Sequence, residues 1–255
     1  MDTSVVVPKK KLEVCERLIV AADFKPVNRN MDPDVEIDLI LEELADAIGS
    51  TGVYIKINSG LRCLGHDAIR LLHRSGLKVF GDLKLNDIPE TLSTEGYILE
   101  KFKPELLTVM CTTGVKSMAA LKNELPNTEI LGVTVLTHLG ENECVRMFGC
   151  PIDAAVMKFA EIAAEAKIDG LILSPREVSM IRAIHGNLFT YNTPAIRPAW
   201  SVVAGDDQNK KRVMTPAEAI KAGADRIVVG RPILQAPSMY DAIMRTLEEI
   251  DQVIR

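Results

Sequence analysis

The sequence predicts an α/β protein folded as a single (β/α)8, or TIM, barrel over residues 1–255, with residues 1–16 as an N-terminal extension packing on it. Three observations carry that prediction. Eight short β-rich runs recur along the chain, most followed by a helical apolar stripe. Strands that alternate with helices form a parallel sheet with crossover connections. The 255 residues divide into units of about 32, an ordinary βα size, and no Ser/Gly linker or shift of composition splits them.

The first run is Leu18–Asp23 (LIVAAD). Asp32-Pro33-Asp34 then opens a helix: Asp32 at the cap, Pro33 at the first helical position, Asp34 favourable to the dipole. Ile37, Leu41, Leu44 and Ile48 form its buried stripe, and Gly49 is placed to stop it. The second run, Val53–Asn58 (VYIKIN), precedes the stripe Leu64, Ala68, Leu71 and Leu72. Lys78–Lys84 (KVFGDLK), Leu106–Met110 (LLTVM) and Ile130–Leu136 (ILGVTVL) are the third to fifth runs. Val156, Phe159, Ala160 and Ala163 follow as a helical stripe. Gly170–Ser174 (GLILS), Tyr191–Ile196 (YNTPAI) and Arg226–Gly230 (RIVVG) complete the eight, and Ile243, Leu247, Ile250 and Ile254 end the chain as a last stripe. The longest stretch without a pattern runs from Arg197 to Met214, and a loop of that length in a compact domain is usually functional.

Composition narrows the function classes. A chain 47% hydrophobic and 25% charged is globular rather than disordered. Thirty basic against 35 acidic residues, a net charge of −5, argue against a nucleic-acid coat or a polybasic membrane binder, while a local anion site stays possible. Five scattered cysteines with no CxxC pair make no disulfide framework. His66, His73, His138 and His185 show neither HxH nor HExxH spacing, so no metal site is expected. The start MDTSVVVPKKKLEVCERL reads as neither a signal nor a transit peptide, and no run approaches the roughly 18 apolar residues of a membrane span. A cytoplasmic protein with no nucleic-acid or membrane partner is expected.

Barrel active sites lie at the C-terminal ends of the strands. Here those ends carry Asp23, Lys56, Asp82 with Lys84, Met110, Thr137, Ser174, Arg197, and Gly230 with Arg231. Five of the eight are charged, where average composition gives about a quarter. In a strand, residues i and i+2 face the same way, so Asp82 and Lys84 should both enter the mouth while Leu83 points away. An isolated Asp-x-Lys reads as a salt bridge at a strand end. With Asp23 and Lys56 on adjoining strands and Asp87 and Thr91 following, many charges share one pocket, which is costly to fold and points to function.

The run Asp82-x-Lys84-x-x-Asp87-Ile88-x-x-Thr91 resembles the signature of the orotidine 5′-monophosphate decarboxylase family. LIVAAD and VYIKINSGL are similar to that family's first two strands, and Thr193–Pro198 (TPAIRP), the Gly-Asp-Asp-Gln run and Arg212–Ile233 are similar to the C-terminal third of bacterial-type members. The resemblance implies conversion of orotidine to uridine 5′-monophosphate, the last step of pyrimidine nucleotide synthesis, without metal or organic cofactor. It implies Lys84, Asp82, Lys56 and Asp87 as catalytic residues, with Lys84 offsetting the carbanion at C6 and then protonating it. Asp82 would crowd the departing carboxylate, and Asp23 and Lys56 would hold ribose. The residue matching Asp87 reaches the partner's site, which implies a homodimer. Thr91 and Thr137 join the substrate set, Thr137 at the pyrimidine edge. Arg197, Gly230 and Arg231 would hold the phosphate, and Gln208 would bridge phosphate and pyrimidine. Because the loop is longer than the bacterial-type pattern, Lys210 or Lys211 could stand in the place of Gln208. Met110 departs from the pattern, which has histidine there; His138 is read as a loop residue. A sugar-phosphate branch shares DxKxxD and uses magnesium, but the DIxxT extension, Thr137 and the Arg197–Gln208 segment favour the pyrimidine branch. A catalytically silent nucleotide-binding barrel is disfavoured because all four charged catalytic candidates are present.

Overall fold

A computed structural model describes residues 12–201 and 213–255. Eight parallel strands close into a barrel in chain order, the last pairing with the first. They are β1 (Leu18–Ala21), β2 (Tyr54–Ile57), β3 (Lys78–Leu85), β4 (Leu106–Met110), β5 (Glu129–Val133), β6 (Gly170–Ile172), β7 (Thr190–Thr193) and β8 (Arg226–Val229). The helices around them are α1 (Pro33–Ile48), α2 (Ser59–Leu64), α3 (Asp67–Arg74), α4 (Pro89–Glu100), α5 (Val115–Glu124), α6 (Glu141–Phe148), α7 (Ile152–Glu165), α8 (Val178–His185), α9 (Pro216–Lys221), α10 (Arg231–Leu234) and α11 (Met239–Ile254). Every sequence-predicted strand is present, with ends shifted by a few residues at most.

The period of two along each strand sorts side chains into two cores. Leu18, Val20, Ile55, Ile57, Leu107, Val109, Ile227 and Val229 face out and pack under the helices. Ile19, Ala21, Tyr54, Phe80, Leu106, Leu131 and Val228 form a separate cluster, with Ile172 packed against it. Reading along these inward rows gives the axis of the barrel. Tyr54 is followed by Lys56, Phe80 by Asp82 and Leu106 by Thr108, all towards the C-terminal mouth. At the other end Arg226 precedes Val228. An apolar belt therefore separates a charged mouth from a charged floor.

The stripe Ile37, Leu41, Leu44 and Ile48 is buried as predicted, as are Val156, Phe159, Ala160 and Ala163. In the last helix Ile243, Leu247 and Ile250 are buried, whereas Ile254, one turn on, is exposed. The second stripe spans two helices, α2 and α3, broken at Gly65 and His66. Two local expectations are corrected. Asp32 sits at the cap of α1 with Pro33 after it, but its side chain makes no capping hydrogen bond; instead Glu36 reaches back, its carboxylate accepting the Val27 and Asn28 N–H groups at 2.9 and 3.1 Å. Gly49 does not terminate α1 with a left-handed turn. Its φ is −53° and the chain continues into a short 3-10 turn, with the left-handed residue at Gly52 (φ 70°). A Cβ on Gly49 would lie 2.6 Å from the Ser75 carbonyl oxygen, so close approach is what requires glycine there.

Candidate functional site

Four of the predicted residues form one continuous chain of charge at the mouth. Lys56, on β2, places Nζ 2.6 Å from Asp23 Oδ2 and 3.0 Å from Asp82 Oδ2. Lys84 places its own Nζ 2.6 Å from the same Asp82 oxygen. Acid and base alternate from the first strand to the third. Asp82 and Lys56 are nearly covered, with side chains 7% and 10% exposed, while Lys84 is 32% exposed and Asp23 about half. Burial pushes the Asp82 carboxyl up, but the Lys56 and Lys84 ammonium groups outweigh it and hold the group below the usual carboxylate range. Burial pushes Lys56 down, and the carboxylates of Asp82 and Asp23 reverse that, so Lys56 stays charged above the usual lysine range.

The third strand reaches this geometry by breaking its own ladder. Against β4, Gly81 lies opposite Leu107 and Leu85 opposite Val109, so four steps on β3 match two on β4. Between those pairs Lys84 has φ +49°, in the left-handed region that a side chain disfavours. The expected alternation of a flat strand is therefore corrected: Asp82 and Lys84 do meet, but across a bulge. Side chains replace the lost backbone pairing. Asn58 donates to the Asp82 carbonyl at 2.7 Å, Arg62 to the Leu83 carbonyl at 2.7 Å, and the Lys84 N–H donates to Thr108 Oγ1 at 2.8 Å. The Thr108 hydroxyl in turn donates to Asp82 Oδ1 at 3.0 Å.

The remaining predicted residues lie around the same mouth. Asp87 stands outside the chain of ion pairs. It is exposed, its Oδ1 accepts the Ile88 N–H at 2.7 Å, and its carbonyl accepts the Thr113 hydroxyl at 2.6 Å. Thr91 is half-buried in the first turn of α4. Thr137 does not end the fifth strand: β5 stops at Val133, and Thr137 sits in the turn that follows, half-buried. Met110 does end β4, and His138 is an exposed loop residue. Arg197 is held where the chain leaves β7, its N–H donating to the Met214 carbonyl at 3.0 Å beside an Ile196–Met214 bridge. Gly230 and the exposed Arg231 lie just past β8. A Cβ on Gly230 would rest against Ala21 at an ordinary 3.5 Å, so a side chain there would not clash with the described residues. Gln208, Lys210 and Lys211 lie outside the described residues, as do residues 1–11 of the expected N-terminal extension.

Sequence reasoning missed Thr108, Asn58 and Arg62. Thr108 carried a signal: it is the one polar residue in LLTVM and falls on the inward row. Asn58 and Arg62 act on backbone carbonyls released by the bulge, which the pattern of side chains did not reveal. Chemically, the arrangement offers a partly exposed ammonium, Lys84, pressed against a buried carboxylate that is itself fixed by Lys56. Such a pair can present negative charge to one part of a substrate and a proton to the atom beside it.

Residues 16–245 match the family model described as orotidine 5′-phosphate decarboxylase / HUMPS family. An orotidine 5′-phosphate decarboxylase from Geobacter sp. (strain M21) is 38% identical over 248 residues, covering 93% of this chain and 97% of that relative. The same-named protein of Geotalea daltonii is 36% identical over 219 residues, covering 82% and 90%. Among solved structures, the orotidine 5′-phosphate decarboxylase of Lactobacillus acidophilus superposes with a TM-score of 0.73 at 29% identity, covering 92% of this chain and 99% of that one.

Proposed function

The chain belongs to the orotidine 5′-phosphate decarboxylase / HUMPS family, and on that premise we propose that it decarboxylates orotidine 5′-monophosphate to uridine 5′-monophosphate. The family description spans two branches. Three relatives at 36–38% identity, matched over 82–93% of this chain, are named orotidine 5′-phosphate decarboxylase, which supports that branch. The observation that carries the reading is the alternating chain Asp23–Lys56–Asp82–Lys84.

In this reading the C6–CO2 bond breaks with its electron pair left on C6. Lys84 lies beside that carbon, offsets the developing negative charge and gives C6 its proton; CO2 leaves, and the neutral amine regains a proton from solvent. Asp82 faces the substrate carboxylate and keeps Lys84 aimed. Lys56 neutralises Asp82 and, with Asp23, holds ribose. Arg197 and Arg231 hold the phosphate past β7 and β8, where barrels commonly bind it, with Gly230 beside it; Gln208, or Lys210 or Lys211 in its place, bridges phosphate and pyrimidine as the resemblance implies. Thr137 reads the pyrimidine edge, and Thr91 lies beside the substrate. Binding energy from the remote phosphate serves the transition state at C6. No metal or organic cofactor enters the scheme. We propose a cytoplasmic homodimer in which Asp87 serves the partner's site; its separation from the ion-pair chain and its exposed position support that role.

The test is direct. Absorbance at the orotate band should fall when the protein meets orotidine 5′-monophosphate in EDTA. No change refutes the reading, and a magnesium requirement moves the chain to the sugar-phosphate branch. Mixing Lys84→Ala with Asp87→Ala protein should restore activity through shared sites, and no recovery after demonstrated subunit exchange refutes the sharing.

A further inference from the structure

We propose that Thr108 is a positioning residue for the decarboxylation, holding Asp82 and the Lys84 backbone in register from the opposite strand. The inference rests on the reading of function above. Thr108 is fully buried, on the inward row of β4, in a stretch where β3 and β4 do not pair through their backbones. Its single hydroxyl does two things. The oxygen accepts the Lys84 N–H at 2.8 Å, and the proton goes to Asp82 Oδ1 at 3.0 Å.

Asp82 has two carboxylate oxygens. Oδ2 takes both ammonium groups, Lys56 at 3.0 Å and Lys84 at 2.6 Å. Oδ1 is turned to Thr108. Without that bond the carboxylate is held through one oxygen only and can rotate about it, carrying the Lys84 ammonium with it. The same hydroxyl anchors a backbone that φ +49° leaves strained, and strained conformations persist only where surroundings over-determine them. One side chain thus fixes both members of the pair, and neither valine nor alanine can do so.

The charged groups facing Asp82 are Lys56 from β2, with Asp23 behind it, and Lys84 on its own strand; β4 contributes the neutral hydroxyl. A hydrogen bond to the ionised carboxylate favours the charged form, so removing it raises the pH at which Asp82 takes up a proton.

Thr108→Val keeps the shape and removes the hydroxyl; Thr108→Ser keeps the hydroxyl. In Thr108→Val, kcat should fall by about tenfold to a hundredfold, on the scale of the loss when groups that orient metal ligands are mutated. KM and affinity for uridine 5′-monophosphate should stay within about twofold, and the acid limb of the kcat profile should move to higher pH. Thr108→Ser should recover most of the rate. A kcat equal to wild type in Thr108→Val, or no recovery in Thr108→Ser at matched thermal stability, overturns the proposal. Carboxyl 13C titration of Asp82, assigned with Asp82→Asn, needs no turnover: an unmoved titration in Thr108→Val overturns the proposal too. A wild type that leaves orotidine 5′-monophosphate unchanged refutes the function instead, and the titration still decides the role of Thr108.

Discussion

The two ends of the barrel use the same residue types to opposite effect. At the floor, charges close on themselves. Arg226 donates to both Glu129 oxygens at 2.9 and 2.8 Å and to Asn192 Oδ1 at 3.2 Å. Thr190 donates to Glu129, and Lys78 pairs with Glu16 at 2.7 Å. Arg226 and Lys78 both lie over the Tyr54 ring, 5.3 and 5.4 Å from its centroid. Each cation has its own acid, and none of these residues has a positive φ. At the mouth, two lysines compete for one carboxylate oxygen in the stretch where β3 loses its pairing with β4. Charges paired one to one satisfy a fold; charges converging on one oxygen, with one of them left open to solvent, are arranged for a substrate.

Substitutions can break that contrast. The largest effect belongs to Lys84→Ala, which should reduce turnover by about ten-thousand-fold or more if, as proposed, Lys84 supplies both charge stabilisation and the proton. Its unfolding midpoint should fall by less than that of Arg226→Met, because Lys84 contributes little packing and Lys56 stays paired with Asp82. Next is Arg226→Met, which leaves Glu129 without its cation and should cost about 3 kcal/mol of stability, read by urea unfolding. The apolar belt between floor and mouth predicts an unchanged kcat, and a drop of tenfold would join the two ends after all. Adding Glu129→Gln should return part of the lost stability. The pH dependence is smaller. Asp82 titrates below its usual range in the folded protein, so its contribution is present above about pH 4 and lost as pH falls through the lower folded value. Lys56 titrates above its usual range, so its contribution is present below about pH 10 and lost as pH rises through the folded value. Between those limits Asp82 and Lys56 should add no slope to a stability profile; a slope near neutrality that vanishes in Asp82→Asn would contradict this. The smallest effect belongs to Arg70→Ala on α3, which loses an exposed ion pair with Asp67 and a stack over the Phe102 ring, 4.3 Å from its centroid, and should cost about 1 kcal/mol or less by urea unfolding.

Most of the fold was legible because alternation of strand and helix is written in apolar spacing. Ile37, Leu41, Leu44 and Ile48 could hardly face elsewhere. Asp23, Lys56, Asp82 and Lys84 were legible as a group because charge at a barrel's strand ends has little structural excuse. What escaped depends on the backbone. Gly49 suggested a helix stop by its type, yet its role is to let Ser75 approach. The bulge at Asp82–Lys84 leaves no mark in a run that alternates as a strand should, and Asn58 and Arg62 matter only once it exists. Thr137 was misplaced because ILGVTVL continues in β-like residues after pairing has ended at Val133.

The left-handed backbone at Lys84 sets activity and robustness against each other at a single position. The conformation there suits glycine, and the proposed chemistry asks for lysine. Two inactive variants expose the conflict: Lys84→Gly should unfold later than Lys84→Ala by about 1 kcal/mol, because only alanine bears the left-handed penalty of a Cβ. A selection for heat resistance alone would drift towards glycine at position 84 and discard the enzyme in doing so.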